Sequence, residues 1–279
     1  MAAALVGLAL ASAGTLFQAL LRNPLADPYV VGTSGGASLG AIIGTRLSQP
    51  IQVHGFGLVP LAAFAGALAA VTLVYGLARV GGRTPMVTVL LAGLAVSTLF
   101  VYTVSLLLVL ADPVQLSLPR LYAWLLGGVS VTSWSQLTVV GPMIALTALA
   151  AGLLGRSLNA LSLGEEAAAR LGLSVERDKR LIIVAGSLLT AAAVSISGLV
   201  GFVGLVVPHV IRLLCGPDHR LLLPAAGLAG ASFLVVADLL ARALLPPLEL
   251  PVGILTAFLA RHTSSTCCGQ SGGSTTSDG

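Results

Sequence analysis

Few side chains in this sequence could take part in bond chemistry, and their spacing builds no catalytic constellation. Asp238 and Arg242 stand four residues apart in the apolar stretch Ala237-Asp238-Leu239-Leu240-Ala241-Arg242. On a helix they share a face and can pair. That spacing suits a self-neutralising pair near a membrane edge. It equally lets Arg242 offer its guanidinium to an acidic partner outside. His209 follows Pro208 at the head of Val210-Ile211-Arg212, with no second histidine or carboxylate at ligand spacing. It reads as a hydrogen-bonded structural group rather than a metal ligand. No HExxH, GxSxG or isolated pair of intramembrane aspartates occurs, so the sequence speaks against catalysis. Cys215, Cys267 and Cys268 form no CxxC pair, which implies neither a zinc site nor a disulfide framework. Cys215 ends an apolar run and reads as a packed thiol. The glycine-rich stretch 32–40 lacks the Lys-Ser/Thr of a phosphate loop. No cofactor is implied.

The segment Leu161-Ser162-Leu163-Gly164-Glu165-Glu166-Ala167-Ala168-Ala169-Arg170-Leu171-Gly172-Leu173 is more telling. Glu165 and Glu166 stand where a short alanine-rich helix begins, and the helix dipole favours acids there. Arg170 falls near its end, and Gly172 suits its cap. The segment reads as a compact helix on a membrane face. It is either an ordinary loop helix or a coupling element pressed into a cytoplasmic partner.

The elements that position these residues follow from composition. Of 279 residues, 56% are hydrophobic and 9% are charged, with mean hydropathy +1.01. A soluble domain carries roughly 25% charged residues. The bilayer is therefore the expected solvent, and one helical bundle the expected architecture. The net charge of +4 fits basic loops on the cytoplasmic side. No basic stripe with interleaved aromatics suggests nucleic acid. Residues 1–21 lack a basic leader and read as a span, not a signal peptide.

Apolar runs predict spans over about 2–21, 35–45, 56–78, 86–110, 136–154, 181–197, 200–214 and 221–240. Residues 118–127 form a helix too short to cross alone, and a last span starts near Leu250. The polar turn 22–28 ends the first span because two prolines forbid continued helix. Nine charged residues crowd 156–180, which reads as the one sizeable solvent-exposed segment. If that segment is cytoplasmic and the spans alternate, ten basic residues fall inside, Arg22, Arg79, Arg83 and Lys179 among them. Arg46, Arg120 and Arg242 fall outside. This is a strong positive-inside bias. Glycine rows such as Gly32, Gly36 and Gly40, or Gly227 with Ala231, suit close helix packing in lipid.

At these residues the chain resembles the permease subunits of ABC importers for ferric siderophores, haem and cobalamin. The resemblance rests on Gln18-Ala19-Leu20-Leu21-Arg22-Asn23-Pro24-Leu25-Ala26-Asp27-Pro28, on Trp124-Leu125-Leu126-Gly127-Gly128 and on the 161–173 segment. It rests also on the stretch 201–212, on Gly216-Pro217-Asp218-His219-Arg220 and on Glu249-Leu250-Pro251-Val252-Gly253. The match covers about residues 2–260. It implies an all-α, polytopic transmembrane bundle of the ten-helix type, in the bacterial cytoplasmic (inner) membrane. A second permease subunit, identical or not, would complete a central path. ATPase subunits would dock on the cytoplasmic face and an extracytoplasmic substrate-binding protein on the other. ATP hydrolysis would belong to the partner, so the chain itself is not an enzyme.

By the same resemblance, Gly164, Glu165, Glu166, Arg170, Leu171 and Gly172 receive the ATPase stroke. Asn23 and Leu25 match positions that narrow the cytoplasmic exit. Met86 and Val87 fall at the second gate, where the family often carries small polar residues. Arg242 matches an arginine that pairs with a glutamate of the binding protein. Two departures stand out. The family's first helix is not matched, and the chain starts at the second. After Leu259 the family continues with Gly-Ala-Pro and an apolar run, whereas residues 260–279 are polar. A frameshift would account for this, and the domain then divides into a permease at 1–260, with a coupling segment at 156–180, and a polar tail at 261–279. The rival readings are a non-functional truncated permease, an ion-coupled secondary transporter and an intramembrane enzyme. The second rival requires ionisable residues at span centres, and none stands convincingly there.

Overall fold

The computed structural model describes residues 1–47, 52–110, 118–129, 131, 133–244 and 250–259. The polar tail, Arg120's side chain and Glu249 lie outside them. The described residues fold as helices: α1 (Ala2–Leu20), α2 (Thr33–Leu47), α3 (Leu58–Ala78), α4 (Met86–Val109), α5 (Leu118–Leu125) and α6 (Trp134–Leu153). Then follow α7 (Gly155–Ser162), α8 (Glu165–Arg170), α9 (Val175–Ser197), α10 (Val203–Cys215) and α11 (His219–Ala243). Residues 252–259 are also helical, and a 3-10 turn spans Pro28–Val31.

Six helices, α1, α3, α4, α6, α9 and α11, are long and apolar enough to cross a membrane. The shorter α2 and α10 lie alongside them. Burial ranks them. The apolar windows of α1 and α9 are 83% and 78% buried, against 22% for α4 and α6. So α1 and α9 form the centre, and α4 and α6 present Leu91, Leu94, Leu106, Leu146, Leu149 and Leu153 outward. Lipid tails are as apolar as these leucines, so solvent exclusion does not pull the helices together, and close packing must.

Small residues supply that packing. A methyl group on Gly7 of α1 would collide with the Gly230 carbonyl of α11, and one on Gly14 with Gly204 of α10. Gly36 and Gly40 of α2 meet the Gly66 and Ala62 carbonyls of α3 in the same way. The expected row in α2 is therefore a helix-packing seam at Gly36 and Gly40, while Gly32 serves as the left-handed cap (φ 89°) of the 3-10 turn. In α11 the tightest approach falls at Gly230, between the expected Gly227 and Ala231. Buried hydroxyls of Thr15, Thr190 and Ser197 donate to carbonyls four residues earlier, whereas the buried Ser187 hydroxyl of α9 has no hydrogen-bond partner.

Two boundaries and the exposure of one segment differ from the sequence expectation. The span expected from Leu181 starts at Val175, because the charged residues 176–180 extend α9 by more than a turn beyond its apolar part. The segment 156–180 is not simply solvent-exposed: Asp178 is 8% and Lys179 1% exposed. And α10 begins at Val203, because Gly198 (φ 63°) and Phe202 (φ 68°) hold a non-helical break between it and α9. Gly198 and Val200 of the break are enclosed by protein, while Phe202 is 43% exposed. Gly128 N donates to the Ser197 carbonyl (2.8 Å), and the Tyr29 hydroxyl to that of Val200 (3.1 Å). Irregular backbone is tolerated in a membrane protein under this condition. Cys215, expected to be packed, is exposed where α10 ends at Gly216.

Polar contacts between distant segments respect the alternation of spans. At one end Asn159 donates to Asp218 (2.7 Å) and Thr84 N to Glu176 (3.1 Å). At the other Arg46 donates to the Leu107 carbonyl (2.9 Å), Gln136 to that of Gly55 (2.7 Å) and Arg242 to that of Val129 (3.3 Å).

Candidate functional site

The end of the bundle that carries Asn159 and Thr84 also carries α8. Gly164 and Gly172 bracket that helix, both with positive φ (118° and 83°) that an L side chain resists. Between them Ala168 is fully buried. It roots α8 on the bundle. Leu163 and Leu171 are 72% and 67% exposed, and Glu166 and Arg170 are exposed beside them. The outer face is thus a charged strip flanked by two apolar knobs.

The inner face of α8 belongs to Glu165. Its carboxylate accepts from Lys179 Nζ of α9 at 3.1 Å. Lys179 also donates to the Thr84 carbonyl (2.8 Å) and pairs with Glu176. Glu176 accepts the Thr84 amide. Thr84 follows a tight turn, Val80-Gly81-Gly82-Arg83, closed by hydrogen bonds of 3.0 and 3.1 Å between Val80 and Arg83. Both glycines have positive φ, as a two-residue hairpin of this kind demands. Pro85 then starts α4, whose first residues are Met86 and Val87. Met86 packs against the core, and Val87 is 68% exposed.

The turn after α1 lies at this end too. The Asn23 side chain accepts the Leu25 amide (3.0 Å), so the turn is closed on itself and Leu25 stands 62% exposed. Asp27 accepts the Tyr29 amide (2.8 Å) and caps the 3-10 turn. Burial pushes the Asp27 carboxyl above its ordinary value, and that hydrogen bond opposes the shift. Gln18 fixes the end of α1. Its amide donates to the Leu205 and Gly204 carbonyls (3.0 and 3.3 Å), and its oxygen accepts from Arg212 (3.0 Å). Arg22, next to Asn23, lies against Gly164, where an added methyl would sit 3.6 Å from its guanidinium.

The structure therefore gathers Asn23, Leu25, Met86, Val87 and the 164–172 residues at one end. Arg242 lies at the opposite end. Its guanidinium holds both oxygens of Asp238 (3.1 and 3.2 Å) as well as Val129, with 46% of the side chain exposed. The expected i,i+4 pair is formed. Close by, the Trp124–Gly128 motif packs carbonyl against glycine: Trp124 against Gly198, Leu126 against Gly253. The sequence quoted Lys179 only as a charge in a loop. Its central position, and those of Thr84 and Glu176, emerge from the fold. The one advance signal was the Glu176/Lys179 spacing of three. Among the described residues no three His, Cys, Asp or Glu side chains cluster as a metal site, and the buried His209 Nδ1 has no hydrogen-bond partner.

The model of the FecCD transport family matches residues 1–261. The chain is 44% identical to an uncharacterized ABC transporter permease protein, YvrB, of Bacillus subtilis, over 92% of this chain and 72% of that one. It is 44% identical to the cobalamin import system permease protein BtuC of Halobacterium salinarum, over 92% and 67%. It is 42% identical to the hemin transport system permease protein HmuU of Yersinia pestis, over 92% and 76%. A solved ABC transporter described as metal-chelate type, in an inward-facing conformation, superposes with a TM-score of 0.85 at 30% identity, over 96% of this chain and 84% of that one. The helical bundle, its apolar spans and these matches together make the chain a multi-pass membrane protein of the FecCD transport family.

Proposed function

We propose that the chain is the membrane-spanning permease of an ATP-driven importer and that α8 receives the stroke of a separate ATPase on the cytoplasmic face. The observation that carries this reading is the link from the α8 start to the base of α4: Glu165 reaches Thr84 through Lys179, and the Arg22 guanidinium stands beside Gly164. Arg22 directly precedes Asn23–Leu25 and Thr84 stands two residues before Met86–Val87, so a push on α8 acts next to both constrictions. The protein contributes shape and a relay. Bond chemistry belongs to the partner.

The cargo class follows from the relatives' names, which cite cobalamin, hemin and Fe(3+) dicitrate. All are bulky chelates too large for a narrow ion path, which suits a path formed between two permease subunits. At the far end Arg242, whose side chain is 46% exposed, serves an extracytoplasmic binding protein. A secondary transporter is less well supported. In the described spans the Asp, Glu, Lys and Arg side chains stand within the first or last two turns, as Lys179, Arg212, Asp238 and Arg242 do. Cross-linking tests the reading. A cysteine at Leu171 should capture the ATPase subunit in inverted membrane vesicles, and a cysteine at Arg242 should not. Capture at Arg242 alone would reverse the topology and refute the reading.

A further inference from the structure

Lys179 is the only lysine of the chain, and it is buried. An ammonium has three donors, and here they meet three elements: Glu165 of α8, Glu176 of α9 and the Thr84 carbonyl between α3 and α4. Glu176 takes the Thr84 amide in turn. The main chain of Thr84 is thus gripped at both its nitrogen and its oxygen. Two residues later α4 begins.

Such a grip differs from apolar packing. Greasy surfaces slide past one another, whereas a buried charge cannot leave its acceptors without a large penalty. Apart from Glu165, the described attachment of α8 is Ala168, which is fully buried. The helix has six residues and lies between two positive-φ glycines. From α4 the contact continues. Gly93 of α4 meets the Val30 carbonyl in the 3-10 turn that follows Asn23 and Leu25.

We propose that Lys179 is a positioning residue that ties α8 rigidly to the base of α4, so that displacement of α8 by the ATPase is transmitted to Met86 and Val87. This rests on α8 being the receiving helix. When α8 moves, Glu165 pulls Lys179, and Lys179 carries Thr84 with it. Val87, exposed at the first turn of α4, is displaced as a consequence.

The test is hydrogen exchange on the assembled permease–ATPase complex, with and without magnesium ATP and vanadate. In the wild type, nucleotide should alter exchange in two segments, 164–172 and 84–92. Lys179→Met keeps the volume and removes the tie. It should retain the response at 164–172 and lose that at 84–92. Glu165→Ala cuts only the α8 arm and leaves Lys179 with Thr84 and Glu176. It should give the same selective loss, and it decides the matter if Lys179→Met does not assemble. A response at 84–92 that persists in either assembled variant overturns the proposal. Loss of both responses in Glu165→Ala overturns it too, by placing Glu165 in the ATPase contact itself. A wild-type complex with no response at 164–172 instead overturns the reading of α8 on which the proposal stands.

Discussion

Arg212 of α10 donates a 3.0 Å hydrogen bond to the side-chain oxygen of Gln18, the third residue from the end of α1. The same glutamine gives its amide to two carbonyls of α10. One side chain thus locks two helices where the chain leaves α1 for the Asn23–Leu25 turn. Gln18 is 2% exposed, so the bonds it makes are not replaced by water.

Replacing Gln18 by alanine should destabilise the permease. A buried hydrogen bond to a charged partner and two carbonyls are lost, at about 2 kcal/mol together. The thermal midpoint of the detergent-solubilised protein should fall by about 5 °C. An unchanged midpoint would show that the lock is not needed.

Glycines separate into two groups by what surrounds them. Gly36→Ala drives a methyl into the Gly66 carbonyl and Ala70, and overpacking of this kind costs about 1–3 kcal/mol. Gly76→Ala meets nothing within 4 Å and should leave stability equal or raise it by up to about 1 kcal/mol through helix propensity. Thermal unfolding of the pair checks this. Equal losses for both would contradict the seam between α2 and α3.

How much of this was legible in advance depends on range. The α1 run, the turn at Asn23–Asp27 and the Asp238/Arg242 pair are local patterns, and they could be read directly. The start of α9 could not, because residues 176–180 carry the charge of a loop while continuing a helix out of the apolar layer. The Lys179 site was hidden for a different reason. Its acceptors Thr84 and Glu165 lie 95 and 14 residues away, and no periodicity reports a contact at such distance. Cys215 shows the converse. An apolar run before it suggested packing, yet the helix ends there and the thiol faces outward.

Leu171→Asp should weaken association with the ATPase about tenfold or more, as expected on removing an apolar anchor from an interface. Its exposure means that the permease's own thermal midpoint stays unchanged. Affinity measured by co-purification at graded ATPase concentrations reads the first effect. Full retention of binding would exclude Leu171 from the contact.

Arg242→Ala removes a pair with the half-buried Asp238 and a bond to the Val129 carbonyl, together worth about 1–2 kcal/mol to the fold. If Arg242 docks the binding protein, affinity for that protein falls while ATPase association is unaffected. Titration of the binding protein onto proteoliposomes distinguishes the two. Equal affinity for variant and wild type would leave the arginine a purely internal clamp on Val129.

The central claim is tested most directly by transport. The permease, its cognate ATPase and its binding protein should be reconstituted in proteoliposomes, and uptake of labelled cobalamin, haemin and ferric dicitrate followed. One of these chelates should accumulate only with ATP on the ATPase side, and dissipating ion gradients should not stop it. Accumulation that proceeds without nucleotide and collapses with the ion gradient would contradict the account.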